Sequence, residues 1–596
     1  MKKSFLVVIA LLTSVALPLH AQRISDHAIS VIDRAVSDEL QRSKDQLKLN
    51  GLINPFFISY TVSDNNRLDI HASFGALTRS SYMHQRQLNL RLLVNNYQLN
   101  DENFDAGGGG IFGGGNQIDM NLPLDDDYNT IRRAFWLATD DLFKEANETF
   151  TKKKAALDRK QLTDEDKNLP DFAKASKVEV IEAPADVQID KAKLESLVRA
   201  LSAIFTKYKP IENSNVTLSF NNTYEFIKNT EGTNIRKPQT SCDLNIQASA
   251  QAAEDGEPLS LAVSFSALTP DALPDHKVLF EKTEKLAKDL VALTATKKYD
   301  NKEYTGPVLF EGNAGSEFLS EQILGKLSAQ REDILGGGSV FSLVGKGPTF
   351  QKKIGTRVLP VSMSVRDNPL IKPKSRGSYL GNYSVDEEGV VPTELTLIEN
   401  GILKTLYMTR TPTKEVKEPN GHSRPLSGGI GGGSTAGPGV VEITDKKAVK
   451  ESDMRKDLLK RAKEDGYDFA FIVRSMQKGT LIYSEGMGNF GDMLESGKTL
   501  SPALVYKVST KDGSETLIRG IEISLPTARD LREIITSKET VTQDLGLASG
   551  SGGGFFSFGA KVPATLIAPE SVLVPELEVR KKKTSANPTQ PVVEKP

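Results

Sequence analysis

The sequence predicts an α+β fold with two large domains. Residues 22–300 form an N-terminal domain of helices and antiparallel sheet, and residues 301–579 form a C-terminal, mainly antiparallel β domain with a few helices. Helical and strand-like patterns come in blocks rather than in regular βαβ alternation, which favours antiparallel sheet. The 596 residues suffice for about four ordinary domains or two large ones, with ample core.

The N-terminal domain combines helical and alternating patterns. Apolar residues four apart predict a helix over 24–48, and strand-like runs follow at 56–62, 68–74 and 88–94. Acidic residues at 125–127 open a long helix, and residues 151–190 indicate a charged surface excursion. Asp190 is expected to cap the next helix, strands with a turn at 229–232 continue to about 265, and a helix over 275–296 closes the domain.

The C-terminal domain is richer in strands and glycine loops. A strand around Val308 precedes a helix with Leu319, Ile323 and Leu327 on one face. A second helix is predicted over 453–465, a capping box at Thr527 opens a third, and 511–513 form a hairpin turn. Residues 107–115, 336–338, 428–439 and 549–559 are glycine loops. Residues 580–596 are expected to be a disordered basic and Pro-containing tail.

The first 21 residues have the pattern of a cleavable signal peptide. Lys2 and Lys3 precede an apolar stretch over 5–17, and Pro18 and Ala21 lie just before a cleavage point at Gln22. An uncleaved membrane anchor is the alternative, although the apolar stretch is short for a span. No later segment has the ~20 apolar residues of a spanning helix. We therefore expect a periplasmic or extracellular protein without a membrane span.

Charge and cysteine content limit the possible functions. The formal net charge is −2, so no excess of positive charge draws the chain to nucleic acid or anionic lipid. The single cysteine, Cys242, cannot form an internal disulfide. It lies in an alternating strand-like run, which is typical of a buried small side chain rather than a nucleophile.

Local motifs alone reveal no catalytic constellation. His71 and His84 flank a hairpin-like region and could meet as a metal pair, but lone surface histidines are the simpler interpretation. The segment 421–425 lacks the second glycine of a nucleophile elbow, and the glycine pattern at 108–113 lacks a strand–loop–helix context. Carboxylates at 386–388, and Glu317 with Glu321, suit a turn and a solvated helix face.

The order of several runs in the second half is more informative. These runs are Gly306-Pro-Val-Leu-Phe-Glu-Gly-Asn-Ala-Gly315, 355–360, Gly381-Asn-Tyr-Ser-Val-Asp-Glu-Glu-Gly-Val-Val-Pro392, 397–404, Asn-Gly-His-Ser-Arg at 420–424, and 568–578. Together they resemble the C-terminal domain of the TldD/PmbA family of peptidase-like proteins. The run Asn229-Thr-Glu-Gly232 and the helix over 125–146 agree with the N-terminal part of family members.

The resemblance implies a zinc peptidase family but not a zinc site in this chain. TldD-like members bind zinc through a His-Glu-x-x-x-His helix and a later cysteine. The corresponding helix here begins Ser316-Glu-Phe-Leu-Ser-Glu-Gln, no histidine lies between His276 and His422, and no cysteine follows Cys242. The chain therefore resembles the PmbA-like branch, which pairs with a zinc-bearing TldD-like paralogue. By that resemblance this chain binds no cofactor and has no catalytic residue of its own.

The resemblance also implies that extended, unfolded peptide enters a space between the subunits. Two segments are candidates for lining that space: 386–396, expected to be strand-like after a turn at Gly389, and 420–424, expected to be a polar loop. The alternatives are an ordinary hairpin and an ordinary surface loop. The candidate substrate-lining residues are Asp386, Glu387, Glu388, Gly389, Asn420, Gly421, His422 and Arg424.

Two other functions remain open at this point. The chain could be a self-sufficient peptidase, in which case changes at His422, His71 and His84 should abolish its activity. It could also be a non-enzymatic binding or structural protein of the cell envelope that kept only the fold. A neighbouring reading frame that encodes an exported chain with His-Glu-x-x-x-His would favour the two-subunit peptidase over both.

Overall fold

A computed structural model describes residues 23–104, 117–299, 303–332, 350–373, 377–426, 434–476, 499–500, 502–548 and 561–582. The predicted α+β class is confirmed: helices pack on mainly antiparallel sheets. One sheet is built from strands before residue 268, and the other sheets use strands after residue 303. Within the described ranges, no helix is both long enough and apolar enough to cross a membrane.

Side-chain caps fix the start of most helices. The α-helices are α1 Asp26–Gln46, α2 Tyr128–Arg159, α3 Asp164–Asn168, α4 Lys191–Ala203, α5 His276–Thr294, α6 Asn313–Gln322, α7 Glu451–Glu464 and α8 Ala528–Leu531. Asp127, Asp190 and Asp275 each accept a hydrogen bond from the N–H three residues on. Both halves of the capping box at Thr527 are present. The predicted helix starts are therefore confirmed.

The N-terminal sheet is dominated by four long strands. Its strands are β1 Pro55–Ser73, β2 Ala76–Val94, β3 Gln117–Asn121, β4 Glu179–Ile181, β5 Ile211–Asn229, β6 Asn234–Gln251 and β7 Pro258–Ala267. Their order is β3-β2-β1-β5-β6-β4, and β7 also pairs with β6. All pairs are antiparallel except β4 with β6.

The strands predicted separately at 56–62 and 68–74 are one continuous strand, so that prediction was wrong. Its polar middle looked like a break in the sequence. However, Asp64 is buried and binds Arg86 on the neighbouring strand at 2.8 Å. This buried ion pair lets the alternation of buried and partly exposed side chains continue through the polar middle of the strand. The hairpin turn lies at Phe74 and Gly75, which both have positive φ.

All the large helices of this domain cover the same face of the sheet. The apolar residues of α1 and α2 pack on Tyr60, Val62 and Leu90. Those of α4 and α5 pack on the far half of the same face, against Leu218 and Leu244 among others. The two apolar clusters thus use every second strand residue, and the intervening residues point away from the helices.

The C-terminal domain contains two larger sheets and one small hairpin. Its strands are β8 Tyr304–Phe310, β9 Met363–Asp367, β10 Leu395–Glu399, β11 Ile402–Leu403, β12 Ser423–Pro425, β13 Ser434–Ala436, β14 Val440–Asp445, β15 Phe469–Met476, β16 Thr499–Leu500, β17 Pro502–Ser509, β18 Glu515–Ile518, β19 Ile521–Ser524, β20 Ile535–Thr536, β21 Thr540–Ala548, β22 Lys561–Pro569 and β23 Val572–Lys581. One sheet has the order β11-β10-β9-β14-β22-β21, and another has the order β16-β19-β23-β8-β15-β17-β18 with β20 beside β23. Strands β12 and β13 form the hairpin.

The core of this domain lies between its two larger sheets, and α6 is part of it. Phe318 and Leu319 of α6 are fully buried in the same apolar cluster as Phe310, Val365 and Leu566. Helix α7 packs on the other face of the second sheet through Met454, Leu458 and Ala462. A 3-10 turn over Leu324–Lys326 follows α6, so the predicted helix is shorter than its apolar spacing suggested.

Three other boundary predictions were wrong. Residues 386–394 are turns and loop, and a strand begins only at Leu395, because Asp386 binds its own neighbouring N–H groups. Helix α2 continues to Arg159, into the predicted excursion. Arg580 and Lys581, expected to begin the tail, lie in β23, where Arg580 bonds Glu522. The signal peptide, the loops at 107–115, 336–338 and 549–559, and the tail beyond 582 lie outside the described residues.

Candidate functional site

The predicted substrate-lining segment 386–389, here named the acidic loop, lies where the C-terminal domain meets the N-terminal sheet. The carboxylate of Asp386 accepts hydrogen bonds from the N–H groups of Glu388 (2.9 Å), Val390 (2.8 Å) and Ser423 (3.1 Å). Burial raises the pKa of Asp386 to about 7, and the charge of Glu388 adds to the effect. These bonds make Asp386 a structural centre of the loop.

Glu387 reaches the N-terminal sheet. Its carboxylate lies 2.7 Å from Nζ of Lys237 on β6, and the same ammonium lies 3.7 Å from Glu225 on β5. All three side chains are less than a tenth exposed. Burial raises the pKa of Glu225 to about 8, and the neighbouring charge of Glu387 contributes. One buried cation thus stands between two carboxyl groups.

Glu388 makes a second contact between the domains. It pairs with Arg91 of β2 at 2.5 Å and accepts a hydrogen bond from the backbone N–H of Arg410 at 2.6 Å. Arg91 also binds Glu102 at 2.5 Å. The Arg410 guanidinium pairs with Glu231 (2.8 Å) and donates to the carbonyl of Ala173. The acidic loop is therefore fixed to the N-terminal domain by charge-assisted bonds on both sides.

Two glycines allow the candidate segments to approach neighbouring parts of the chain closely, Gly389 a side chain and Gly421 a backbone. Gly389 has a φ of +80°, and a Cβ there would lie 2.9 Å from Cγ2 of Thr233. Gly421 has a φ of +75°, and a Cβ there would lie 2.5 Å from Cα of Pro392. Both positions need glycine for conformation and for space.

The interpretation of 420–424 as an ordinary surface loop was wrong. Asn420 bonds the backbone of Met408 (3.0 Å) and Leu406 (2.8 Å). His422 is fully buried, with Nδ1 2.9 Å from the carbonyl of Asn420 and Nε2 3.7 Å from Asp367. Arg424 is buried, donates to the carbonyls of Pro438 and Pro563, and stacks on a tyrosine. Apart from Nε2 of His422, which has no hydrogen-bond partner among the described residues, these polar groups are bonded inside the protein. In the part of the chain that the structure describes they therefore form no open surface, and the lining role stays a prediction.

The sequence analysis missed a partly exposed polar surface beside the acidic loop. We name it the polar wall. It is the face of β1, β5, β6 and β7 opposite the helices, and its side chains are Asn65, Arg67, Asp69, His71, Thr217, Ser219, Asn221, Thr223, Gln239, Ser241, Asp243, Asn245, Ser264 and Ser266. All except the buried Asp69 are partly exposed. The signal was present in the sequence as strict alternation, with hydroxyl and amide residues between buried apolar ones.

The polar wall and the acidic loop are continuous. Ser63 and Glu225 are the next register pair after Asn65 and Thr223, and Glu225 in turn pairs in register with Lys237. Since Lys237 binds Glu387, the acidic loop lies at the end of the wall. The predicted site residues therefore fix one end of a larger open surface.

The other residues considered for chemistry do not converge. His71 pairs in register with Arg79, whereas His84 pairs with Asn66, so the two histidines are separated along the hairpin. His84 instead lies 3.0 Å from the carboxylate of Asp64. Cys242 is buried opposite Phe220, and burial raises the pKa of its thiol. Among the described residues, no three His, Cys, Asp or Glu side chains are grouped so that they could hold a metal ion.

Helix α6 carries hydroxyl and carboxyl groups at the positions where the family resemblance would place metal ligands. Ser316 is fully buried, and its Oγ lies 3.0 Å from the carbonyl of Asn313 and 3.3 Å from Oε1 of Gln543. One turn later Ser320 is mostly buried, and Glu321 is exposed. These side chains offer oxygen donors only.

Comparison with known families identifies the C-terminal half. Residues 302–580 match the family described as PmbA/TldA metallopeptidase C-terminal domain. No curated protein matches the chain by sequence. The sequence evidence for a relationship thus lies in the domain that contains α6 and the acidic loop.

Several solved structures have a similar fold over most of the chain. A candidate modulator of a DNA gyrase from Thermotoga maritima has a TM-score of 0.54 at 16% identity, covering 92% of this chain and 99% of the other. TldE from Thermococcus kodakarensis has a TM-score of 0.53 at 12% identity, covering 92% and 100%. A candidate modulator of DNA gyrase from Bacteroides thetaiotaomicron gives 0.53 at 12% identity, covering 94% and 100%. At such low identity the likeness concerns the fold.

Proposed function

The chain belongs to the TldD/PmbA family, and from that premise we propose that it is the exported, metal-ligand-free subunit of a peptidase that acts on unfolded peptides. In this proposal a zinc-bearing TldD-like paralogue cuts the peptide. This chain contributes subunit contacts and a surface that holds the extended substrate.

The donor chemistry of α6 is the observation that carries the proposal. Catalytic zinc sites in proteins use three protein ligands, mostly imidazole or thiolate with some carboxylate. Helix α6 offers the hydroxyls of Ser316 and Ser320 and the carboxylates of Glu317 and Glu321, and the Ser316 hydroxyl contacts the backbone of Asn313 and the side chain of Gln543. Donors of this kind suit hard ions better than zinc. The residues present therefore do not fit the family's metal, and we assign no step through it to this chain.

The polar wall supports a substrate-holding role. An extended peptide needs hydrogen-bonding partners for its main chain, and the side chains of the wall provide them over a broad, partly exposed face. The acidic loop contributes by holding the C-terminal domain against the end of that face through Lys237 and Arg91. The candidate lining residues then act as positioning residues for the wall.

Export is proposed from the sequence of residues 1–21. The test is to recover the protein from the envelope fraction of its native host and determine its N-terminus. A mature chain that begins at Gln22 supports the proposal. A chain that retains Met1 and stays with the cytoplasmic fraction contradicts it.

Reconstitution tests the division of labour. The full chain is expressed alone and together with a zinc-bearing TldD-like paralogue from the same host, and cleavage of an unfolded, labelled protein is followed. We expect cleavage by the pair, loss of cleavage when the paralogue's ligand histidines are changed, and no cleavage by this chain alone. Cleavage by this chain alone would show that the proposal is wrong.

A further inference from the structure

Most side chains of the polar wall carry a hydroxyl or an amide group. Strand β5 contributes Thr217, Ser219, Asn221 and Thr223, and the facing positions of β6 and β7 add further amides and hydroxyls. Each of these groups can donate and accept hydrogen bonds. The wall can therefore both donate hydrogen bonds to a bound ligand and accept hydrogen bonds from it.

The charges on the wall are few, and two of them form an ion pair. Arg67 binds Asp69 through two nitrogen–oxygen contacts of 2.9 and 2.8 Å, and Asp69 also accepts from Ser219 at 2.7 Å. Asp243 accepts from Ser266 at 2.6 Å. Lysine and glutamate do not occur on the wall, although 26% of the chain is charged. Asp243 is thus the one carboxylate of the wall without a cationic partner among the described residues. A charged ligand would find little opposite charge on the wall, whereas an uncharged one is not disfavoured.

The dimensions of the wall suit an extended chain. Side chains on one face of a strand repeat every second residue, about 6.6 Å apart, and neighbouring strands lie about 4.8 Å apart. From Asn65 to His71 the wall is about 20 Å long, which matches about six residues of extended peptide. An extended peptide that lies parallel to the strands has the same two-residue repeat. Its side chains and backbone groups therefore meet wall side chains at a constant spacing.

The wall is a poor match for other ligand classes. Its only aromatic side chain is His71, whereas single-stranded nucleic acid is bound by several aromatic rings along a positively charged groove. An apolar peptide side chain laid on Asn221 or Asn245 would separate these amides from water without replacing their hydrogen bonds, and that costs free energy. The match improves only when the ligand brings its own hydroxyl and amide groups.

We propose that the polar wall binds extended peptide segments rich in uncharged polar residues, and that this composition is the substrate class of the chain. The inference rests on the proposed function in one respect, that the substrate is a peptide. It adds a selectivity, for segments of serine, threonine, asparagine and glutamine, that the general role does not contain.

Binding of three labelled peptides to the full chain tests the inference by fluorescence anisotropy. One peptide consists of Ser, Asn, Gln and Gly, one of Leu and Val with solubilising ends, and one of alternating Lys and Glu. We expect the polar peptide to bind at least about tenfold more tightly than the other two. Its affinity should not change from about 0.1 M to about 1 M salt, which shortens the Debye length from about 10 Å to about 3 Å.

A variant with matched changes localises the binding. Thr217→Val, Thr223→Val and Asn221→Leu together remove hydrogen-bonding groups from one strand while keeping side-chain size and strand propensity. The control combines Thr516→Val and Asn129→Leu, two exposed positions away from the wall. We expect the wall variant to lose at least about tenfold in affinity for the polar peptide and the control to lose none.

The contrary outcomes separate the two proposals. If all three peptides bind equally, or the apolar peptide binds best, the substrate class is wrong while the peptide-holding role stands. If none binds, both the substrate class and the peptide-holding role are wrong. If the wall variant, folded by circular dichroism, binds as the wild type does, the wall is not the site. Should that variant not fold, the peptide comparison on the wild-type chain decides.

Discussion

Lys237 of β6 lies 2.7 Å from Glu387 of the acidic loop, so a single buried ammonium joins the N-terminal sheet to the C-terminal domain. Glu225 lies 3.7 Å from the same Nζ on its other side. Glu387 is one of the residues that the family resemblance predicted to line the substrate space. In the structure its described contact is with the N-terminal sheet. Lys237 and Glu387 hold the end of the polar wall against the second domain.

The first prediction concerns the loss of this cation. In Lys237→Met the carboxylate of Glu387 remains buried without its counterion. We expect a loss of about 3–5 kcal/mol in the free energy of unfolding, because removing one partner leaves an uncompensated buried charge. Urea denaturation followed by circular dichroism measures it.

Two controls accompany that change. Lys193→Met alters an exposed lysine on α4 and should leave stability within about 0.5 kcal/mol. The double variant Lys237→Met/Glu387→Gln removes both partners and should recover part of the loss. If Lys237→Met unfolds at the same urea concentration as the wild type, the described contact does not join the domains.

The second prediction concerns pH. Burial raises the pKa of Glu225 from 4.5 to about 8, so the folded state favours the protonated form. The stabilisation is complete below about pH 4.5, declines as the pH rises, and is lost above about pH 8. Within that window its steepest contribution is about 1.4 kcal/mol per pH unit. We therefore expect Glu225→Gln, which stays neutral, to weaken the fall in stability between pH 5 and pH 8.

Thermal unfolding across that pH range checks the effect. Glu145→Gln, an exposed change on α2, serves as the control and should follow the wild-type curve. Equal slopes for Glu225→Gln and the wild type would mean that Glu225 is ionised throughout, contrary to the buried pair described above.

The third prediction separates backbone conformation from close packing. Gly421 and Gly466 both have positive φ, of +75° and +83°. A Cβ at Gly421 would meet the backbone of Pro392 at 2.5 Å, whereas one at Gly466 would meet nothing. Gly466→Ala should therefore cost about 1 kcal/mol for conformation alone. Gly421→Ala should cost that amount plus about 1–3 kcal/mol for overpacking.

Differential scanning calorimetry of the two glycine variants compares these costs directly. The lower unfolding temperature should belong to Gly421→Ala. Equal unfolding temperatures would mean that residues 420–424 are not packed against Pro392, and would restore the surface loop that the sequence suggested.

Local sequence signals predicted the helices well and the strand boundaries less well. Asp190, Asp275 and Thr527 cap helices by accepting a hydrogen bond from an N–H only three residues further on. A short stretch of sequence therefore suffices to predict them. The continuity of β1 depended on the ion pair between Asp64 and Arg86, which are distant in sequence and become partners only when the hairpin forms. No window of a few residues contains that information.

The candidate site shows the same limit. The residues 386–389 were predicted to line the substrate space, and that role stays a prediction. Their partners Lys237 and Arg91 lie far away in the sequence, so these contacts could not be predicted from it. The segment 420–424 is polar by composition yet buried, because Asn420 and Arg424 bond to backbone groups inside the domain. Alternation showed that one face of β5 is polar, but only the structure shows that the helices pack on the other face and that the polar side chains are partly exposed.

The metal content of the purified full chain tests the central claim most directly. The chain is equilibrated with zinc, dialysed, and analysed by inductively coupled plasma mass spectrometry beside its zinc-bearing paralogue. Since α6 offers only hydroxyl and carboxyl donors, we predict zinc well below one equivalent in this chain and one equivalent in the paralogue. One tightly held zinc in this chain alone would contradict the account.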